Sequence, residues 1–176
     1  MLDPLLAAGR LPKLAERAMR DAILGGVAQA RRLSHRVLVD DALLRFEGMV
    51  ARAAPDGIRP AILFAERDRI VRDLGRFARS RLANRLFAIH RDDVAAIDDA
   101  ARPFDAIVRG RRGGLYGVIL RRLPSDGRRL ESMRAMRGAA TAYRQAHLLG
   151  VLVYDFATAR VRTLRCGARP VELSAA

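Results

Sequence analysis

The hydrophobic positions of the chain fall into two regimes. Up to about residue 100 they recur at helical spacing. Leu14, Ala18 and Ala22 share one face with charged residues between them, which predicts a helix over 13–31. Gly25-Gly26 interrupts that pattern as a kink or a helix end. Val39, Leu43, Leu44, Phe46 and Val50 predict an amphipathic helix over 36–53, closed by the turn chemistry of Ala54-Pro55-Asp56-Gly57. The longest periodic segment is 60–88. Ile62, Leu63, Ile70, Leu74, Phe77, Leu82 and Leu86 form its apolar side, opposite Arg67, Arg72, Arg76 and Arg79, and a break near Gly75 would divide it into two helices. Asp92-Asp93 suits the start of a short helical stretch over 92–101.

Then the period changes from helical to alternating. Residues 104–109 and 115–123 read as two strands around the turn Gly110-Arg111-Arg112-Gly113-Gly114, and Pro124-Ser125-Asp126-Gly127 ends this hairpin. Met133, Met136, Ala140, Tyr143 and His147 predict a helix over 129–149, with Gly150 just past its end. Residues 151–156 read as a strand, 159–164 as its antiparallel partner, and the tail after Cys166 as loose. The expected fold is therefore of mixed α/β (α+β) class. A mainly helical part over 1–102 packs on a small mixed β-sheet over 103–166 in β-β-α-β-β order, all within one domain, 1–176.

Composition narrows what such a fold does. Of 176 residues, 51% are hydrophobic, which is enough for a core and argues against a disordered chain. No apolar run reaches the roughly 18 residues that a transmembrane helix needs. A lone cysteine, Cys166, excludes an internal disulfide framework and a Cys-rich zinc site and suits a reducing cytoplasm. The N-terminus, 1–14, carries an acid and a proline early and does not read as a secretory signal. Lys13 is the only lysine among 33 basic residues, a bias that a GC-rich bacterial genome would impose. That bias leaves the net charge of +14 to be explained.

The charge is uneven. Residues 105–170 hold 14 arginines against 4 acids, a net of +10, while the rest holds 19 basic and 15 acidic residues, a net of +4. A field of that kind attracts polyanions, nucleic acid first among them. Arg109, Arg111, Arg112, Arg121, Arg122, Arg128 and Arg129 lie on one supersecondary unit. Gly110, Gly113 and Gly114 let its backbone approach a phosphate closely. The guanidinium fork suits phosphate and guanine, and a two-stranded ribbon fits a groove. Arg137 and Arg144 share a helix edge and snorkel over the core or extend the basic surface. His35, His90 and His147 lack metal-ligand spacing, and no phosphate-loop, dinucleotide or nucleophile-elbow string occurs. Tyr116 is the only aromatic beside the basic hairpin, which argues against a stacking platform for single strands. A helix-turn-helix around Gly75 is a weaker route to DNA, since acids blunt the charge there.

From about residue 104 to 165, the element order and Pro103-Phe104-Asp105 resemble the PD-(D/E)XK nuclease-like superfamily. Gly117 to Arg121 stands where that family's acid-x-lysine strand lies, and Tyr143, Arg144 and Gln145, then Gly150 to Tyr154, continue the pattern. The resemblance implies a restriction-endonuclease-like core. It also exposes a departure: Ile119 stands at the family's second acid and Arg121 at its lysine. Two carboxylates are needed to hold the Mg²⁺ that activates water, and isoleucine supplies none. Arginine stays protonated and does not act as a base. Asp105 is left as a vestigial position or the partner of a neighbouring arginine. Glu131 or Asp126 would have to act as a displaced acid if catalysis survived.

The expectation is thus a noncatalytic DNA-binding protein with a degenerate nuclease-like fold and no cofactor. It would hold duplex DNA as a regulator, an architectural protein or a subunit of a DNA-processing complex. It could also bind a protein partner or a second copy of itself. The alternatives are a Mg²⁺-dependent nuclease with a displaced acid, or an interaction module whose basic face docks an acidic protein.

Overall fold

The computed structural model of the chain describes residues 4–28, 34–53, 58–87, 104–109, 114–123, 148–165 and 171–172. Helices come first: α1 (Pro4–Ala28), α2 (His35–Ala53), α3 (Pro60–Ala78) and α4 (Arg81–Leu86). Among the described residues, five strands follow: β1 (Ala106–Arg109), β2 (Leu115–Arg121), β3 (Leu148–Asp155), β4 (Arg160–Arg165) and β5 (Val171–Glu172). The chain is a mixed helix-and-strand protein with its helices in the N-terminal part. It divides into two compact units, Met1–Arg79 and Ser80–Ala176. Among the described residues, no helix is long and apolar enough to cross a membrane.

The first unit is a bundle in which α1, α2 and α3 each pack on the other two. The apolar stripe of α1 is Leu11, Ala15, Ala18 and Ala22 with Met19 and Ile23, all at most 1% exposed. The alanines let the neighbouring helices approach closely, and Phe46 of α2 and Phe77 of α3 fill the remaining space. Burial overrides two local signals here. The helix begins at Pro4 rather than near residue 13 and carries Pro12 inside it, because Leu11 and Ala15 extend the buried stripe across the proline. It also runs through Gly25-Gly26 to Ala28, so the glycines neither kink nor end it at that point. Their propensity cost of about 1 kcal/mol each is smaller than the gain from the buried Ile23 and Val27 around them.

The division of 60–88 into two helices falls at Arg79-Ser80, not at Gly75. Gly75 lies buried inside α3 beneath the ring of His35, where a Cβ would stand 3.1 Å from His35 Nε2. Ser80 supplies the stop and the restart, since its hydroxyl accepts the Ala83 N–H at 3.1 Å as the N-cap of α4. The unbroken α3 removes the turn that a helix-turn-helix around Gly75 requires.

In the second unit the strands lie in the order β1-β2-β3-β4-β5. The β1–β2, β3–β4 and β4–β5 pairs are antiparallel, and β2–β3 is parallel. A parallel pair needs a long crossover. The intervening residues 124–147, which include nearly all of the helix expected over 129–149, lie outside the described residues. Its last two positions do not: Leu148 and Leu149 are already strand, and Gly150 sits inside β3 opposite Tyr116 rather than capping a helix. Val151 to Phe156 are the expected strand and are buried without interruption, and β3 extends it backwards by three residues to the exposed Leu149 and to Leu148. The tail is not wholly loose either, because Val171 and Glu172 add a short strand to the otherwise open edge of β4.

Candidate nucleic-acid interface

The hairpin comes first because most of the candidate arginines belong to it. Arg109 ends β1 opposite Leu115, and Arg121 ends β2 with Arg122 directly after it. Arg111, Arg112, Arg128, Arg129, Asp126 and Glu131 lie outside the described residues, as do Arg137, Arg144, His90, His147 and Cys166. The described part of the candidate site is therefore the end of β2 and what surrounds it.

Asp105 enters that place through β1. Its N–H donates to the Val118 carbonyl at 2.8 Å, which continues the antiparallel ladder one residue before the strand begins. Phe104, just before it, lays its ring over Gly117 of β2. A Cβ at Gly117 would stand 2.6 Å from Phe104 Cδ1, so the glycine is what lets the ring approach. With the backbone held in this way, the Asp105 carboxylate meets β2. Its Oδ2 accepts the Leu120 N–H at 2.7 Å, and Arg121 Nη1 donates to the same oxygen at 3.1 Å. The same Nη1 also donates to the Leu120 carbonyl at 2.8 Å. The acid side chain is 10% exposed and the arginine 36%, so the pair sits at the rim of the sheet with the guanidinium toward solvent. Arg121 thus neutralises the aspartate beside it.

Register brings in two residues that the sequence did not single out. Arg121 pairs in the ladder with Asp155 of β3, and Asp155 pairs with Arg160 of β4. Residues opposite one another in register share a face, so Arg121, Asp155 and Arg160 form one row across three strand ends. Asp155 is 1% exposed and fully engaged. Its Oδ1 accepts the Leu123 and Ala157 N–H groups at 3.1 and 3.0 Å, and its Oδ2 accepts the Thr158 hydroxyl at 2.8 Å. These bonds close the turn from β3 to β4, in which Ala159 takes a positive φ of 56° and its N–H donates to the Asp155 carbonyl at 2.8 Å. The same carboxylate ties Leu123, beyond the end of β2, to β3.

While Asp126 and Glu131 lie outside the described residues, the acid opposite Arg121 in the ladder is Asp155. Its signal was present as an aspartate three residues before Thr158 between two strands, the spacing of a side-chain-closed turn. Arg160 was legible only as one of the 14 arginines of residues 105–170, because its alignment with Arg121 depends on which strands neighbour each other. Ile119 is 4% exposed and lies two positions before Arg121 on β2, opposite Val153 in the ladder. Chemically, the row and the neighbouring Asp105 offer guanidinium groups at one end of the inner strands and two carboxylates already committed to backbone, guanidinium and hydroxyl donors. Among the described residues, no group of three or more His, Cys, Asp or Glu side chains could hold a metal ion.

The chain matches no family model, and neither the curated proteins nor the solved structures include a significant match.

Proposed function

We propose that the chain is a noncatalytic nucleic-acid-binding protein that holds duplex DNA through the arginines of its sheet-bearing unit. The observation that carries this reading is the charge of Ser80–Ala176, which holds 18 basic and 9 acidic residues, a net of +9. The state of the two described carboxylates supports the noncatalytic part. Asp105 is bonded to the Leu120 amide and Arg121, and Asp155 closes a turn, so both are engaged in holding the sheet. In this reading the resemblance to the PD-(D/E)XK nuclease-like superfamily describes a fold whose catalytic positions have been converted into a basic row at the strand ends. Arg121 and Arg160 contact phosphates at those strand ends, and the hairpin arginines extend the track.

Duplex binding followed through a salt titration tests this. Counterion release makes log K fall with log salt at a slope of about −0.9 per phosphate neutralised. A steep negative slope is expected. It should flatten by about 1 for each phosphate-binding arginine removed, in Arg111→Ala, Arg112→Ala or Arg160→Ala. Binding that is absent at low salt, or indifferent to salt, overturns the reading. Cleavage of DNA in Mg²⁺ or Mn²⁺ that disappears in Asp105→Ala would overturn its noncatalytic part.

A further inference from the structure

Asp105 and Arg121 are each fixed from more than one side. The Asp105 backbone N–H donates to the Val118 carbonyl at 2.8 Å, and its Oδ2 accepts the Leu120 N–H at 2.7 Å. Backbone and carboxylate of one residue are thus pinned two positions apart on β2. Arg121 follows Leu120 on that strand, and its own carbonyl accepts the Phe156 N–H at 2.9 Å. Its Nη1 donates to Asp105 Oδ2 at 3.1 Å and to the Leu120 carbonyl at 2.8 Å. Two acceptors anchored to the sheet therefore hold one corner of the guanidinium plane, while 36% of the side chain stays exposed. Arg160, the other arginine of the row, is the contrast. It is exposed, and it has no ion pair among the described residues.

That difference decides what it costs to engage each arginine. A long, freely rotating side chain loses rotamer freedom when a ligand holds it, whereas one already held loses little. A guanidinium carries five N–H donors, so bonds through Nη1 leave it the capacity to bind a phosphate as well. Lysine carries the same charge on a compact head. It lacks the planar fork that spans a carboxylate, a carbonyl and a further anion together. We propose that Asp105 is a positioning residue for nucleic-acid binding, orienting the Arg121 guanidinium for a backbone phosphate before the ligand arrives. The proposal rests on the nucleic-acid reading above. It gives a part in that reading to an acid whose charge alone would oppose the ligand.

A double-mutant cycle isolates the effect, read as binding of the full chain to a short duplex of mixed sequence at several salt concentrations. Asp105→Asn keeps an acceptor for the Leu120 N–H and removes the charge that holds the guanidinium. Arg121→Lys keeps the positive charge and removes the fork. Arg121→Lys should weaken binding about fivefold to tenfold in the parent and less than about twofold in Asp105→Asn. The salt slope should not change, because lysine still neutralises a phosphate. Long-range repulsion between the Asp105 charge and DNA cancels in the cycle. Arg160→Lys is the control and should cost the same with and without the Asp105 charge. Nitrogen-15 NMR of the free protein reads the positioning without DNA. The Arg121 guanidinium should show hindered rotation about its Nε–Cζ bond, lost in Asp105→Asn while the Leu120 amide stays protected. A parent that does not bind, or binds without regard to salt, removes the nucleic-acid reading and the proposal with it. A parent with a steep salt slope, in which Arg121→Lys costs the same in both backgrounds, overturns the proposal alone. So does an Arg121 guanidinium that rotates freely in the free parent.

Discussion

The two units handle charge in opposite ways. In the helical unit, acids and arginines meet within one or two turns of the same helix. Examples are Arg17 with Asp21, Arg36 with Asp40, Arg45 with Asp41, Glu66 with Arg69 and Arg76 with Asp73. In the sheet unit, Asp105 and Asp155 accept backbone N–H groups, Asp105 from Leu120 across the strands and Asp155 from Leu123 and Ala157. Helical spacing places a partner three or four residues away, whereas a strand sends neighbouring side chains to opposite faces. The sheet unit therefore uses these carboxylates as internal fasteners, and its arginines outnumber its acids.

The comparison breaks most visibly at the cores. Phe77→Ala should destabilise the helical unit by about 3–5 kcal/mol, the usual cost of removing a fully buried aromatic ring. Urea unfolding followed by helical circular dichroism would show it, while amide protection in β2 and β3 should stay as it was. A uniform loss of protection would mean that the units do not unfold separately. Asp155→Ala should cost about 2–3 kcal/mol, because it leaves the Leu123 and Ala157 N–H groups without their acceptor in a buried turn. Faster amide exchange at those two positions would confirm the fastening. Gly117→Ala should cost about 1–3 kcal/mol by forcing the Phe104 ring away, read as a lower urea midpoint at constant slope. Asp41→Asn should change stability least, by about 0.3–0.5 kcal/mol, and the difference from the parent should vanish in high salt.

Much of this architecture was legible from local pattern. The second helix, the hairpin strands and the final antiparallel pair stand within a few residues of where periodicity and turn chemistry put them. The failures share a cause. Pro12, Gly25-Gly26 and Gly75 carry local signals for interruption, yet each lies in a helix whose buried side chains continue past it. Gly150 carries a helix-stop signal, yet it lies in a strand whose residues from Val151 onward are all buried. At the glycines, tertiary burial outweighs a local preference of about 1 kcal/mol. The pairing of Asp105 with a neighbouring arginine was open to a sequence reading, since Arg121 sits two positions beyond Ile119 on the adjoining strand. The row from Arg121 through Asp155 to Arg160 was not, because it requires knowing that β3 lies parallel beside β2.

The sequence alone determined the two hydrophobic periods, the concentration of arginine in the second half and the presence of Ile119 and Arg121 two positions apart on one strand. Each of these is a property of residue type and spacing along a short stretch. Only the tertiary structure decided that Asp155 would stand opposite Arg121, that Gly117 would admit Phe104, and that Phe64 and Leu44 would remain exposed on a helical bundle. Those outcomes depend on which distant segments pair and which faces they cover. That choice is made by the burial of apolar surface over the whole unit rather than by any local run of residues.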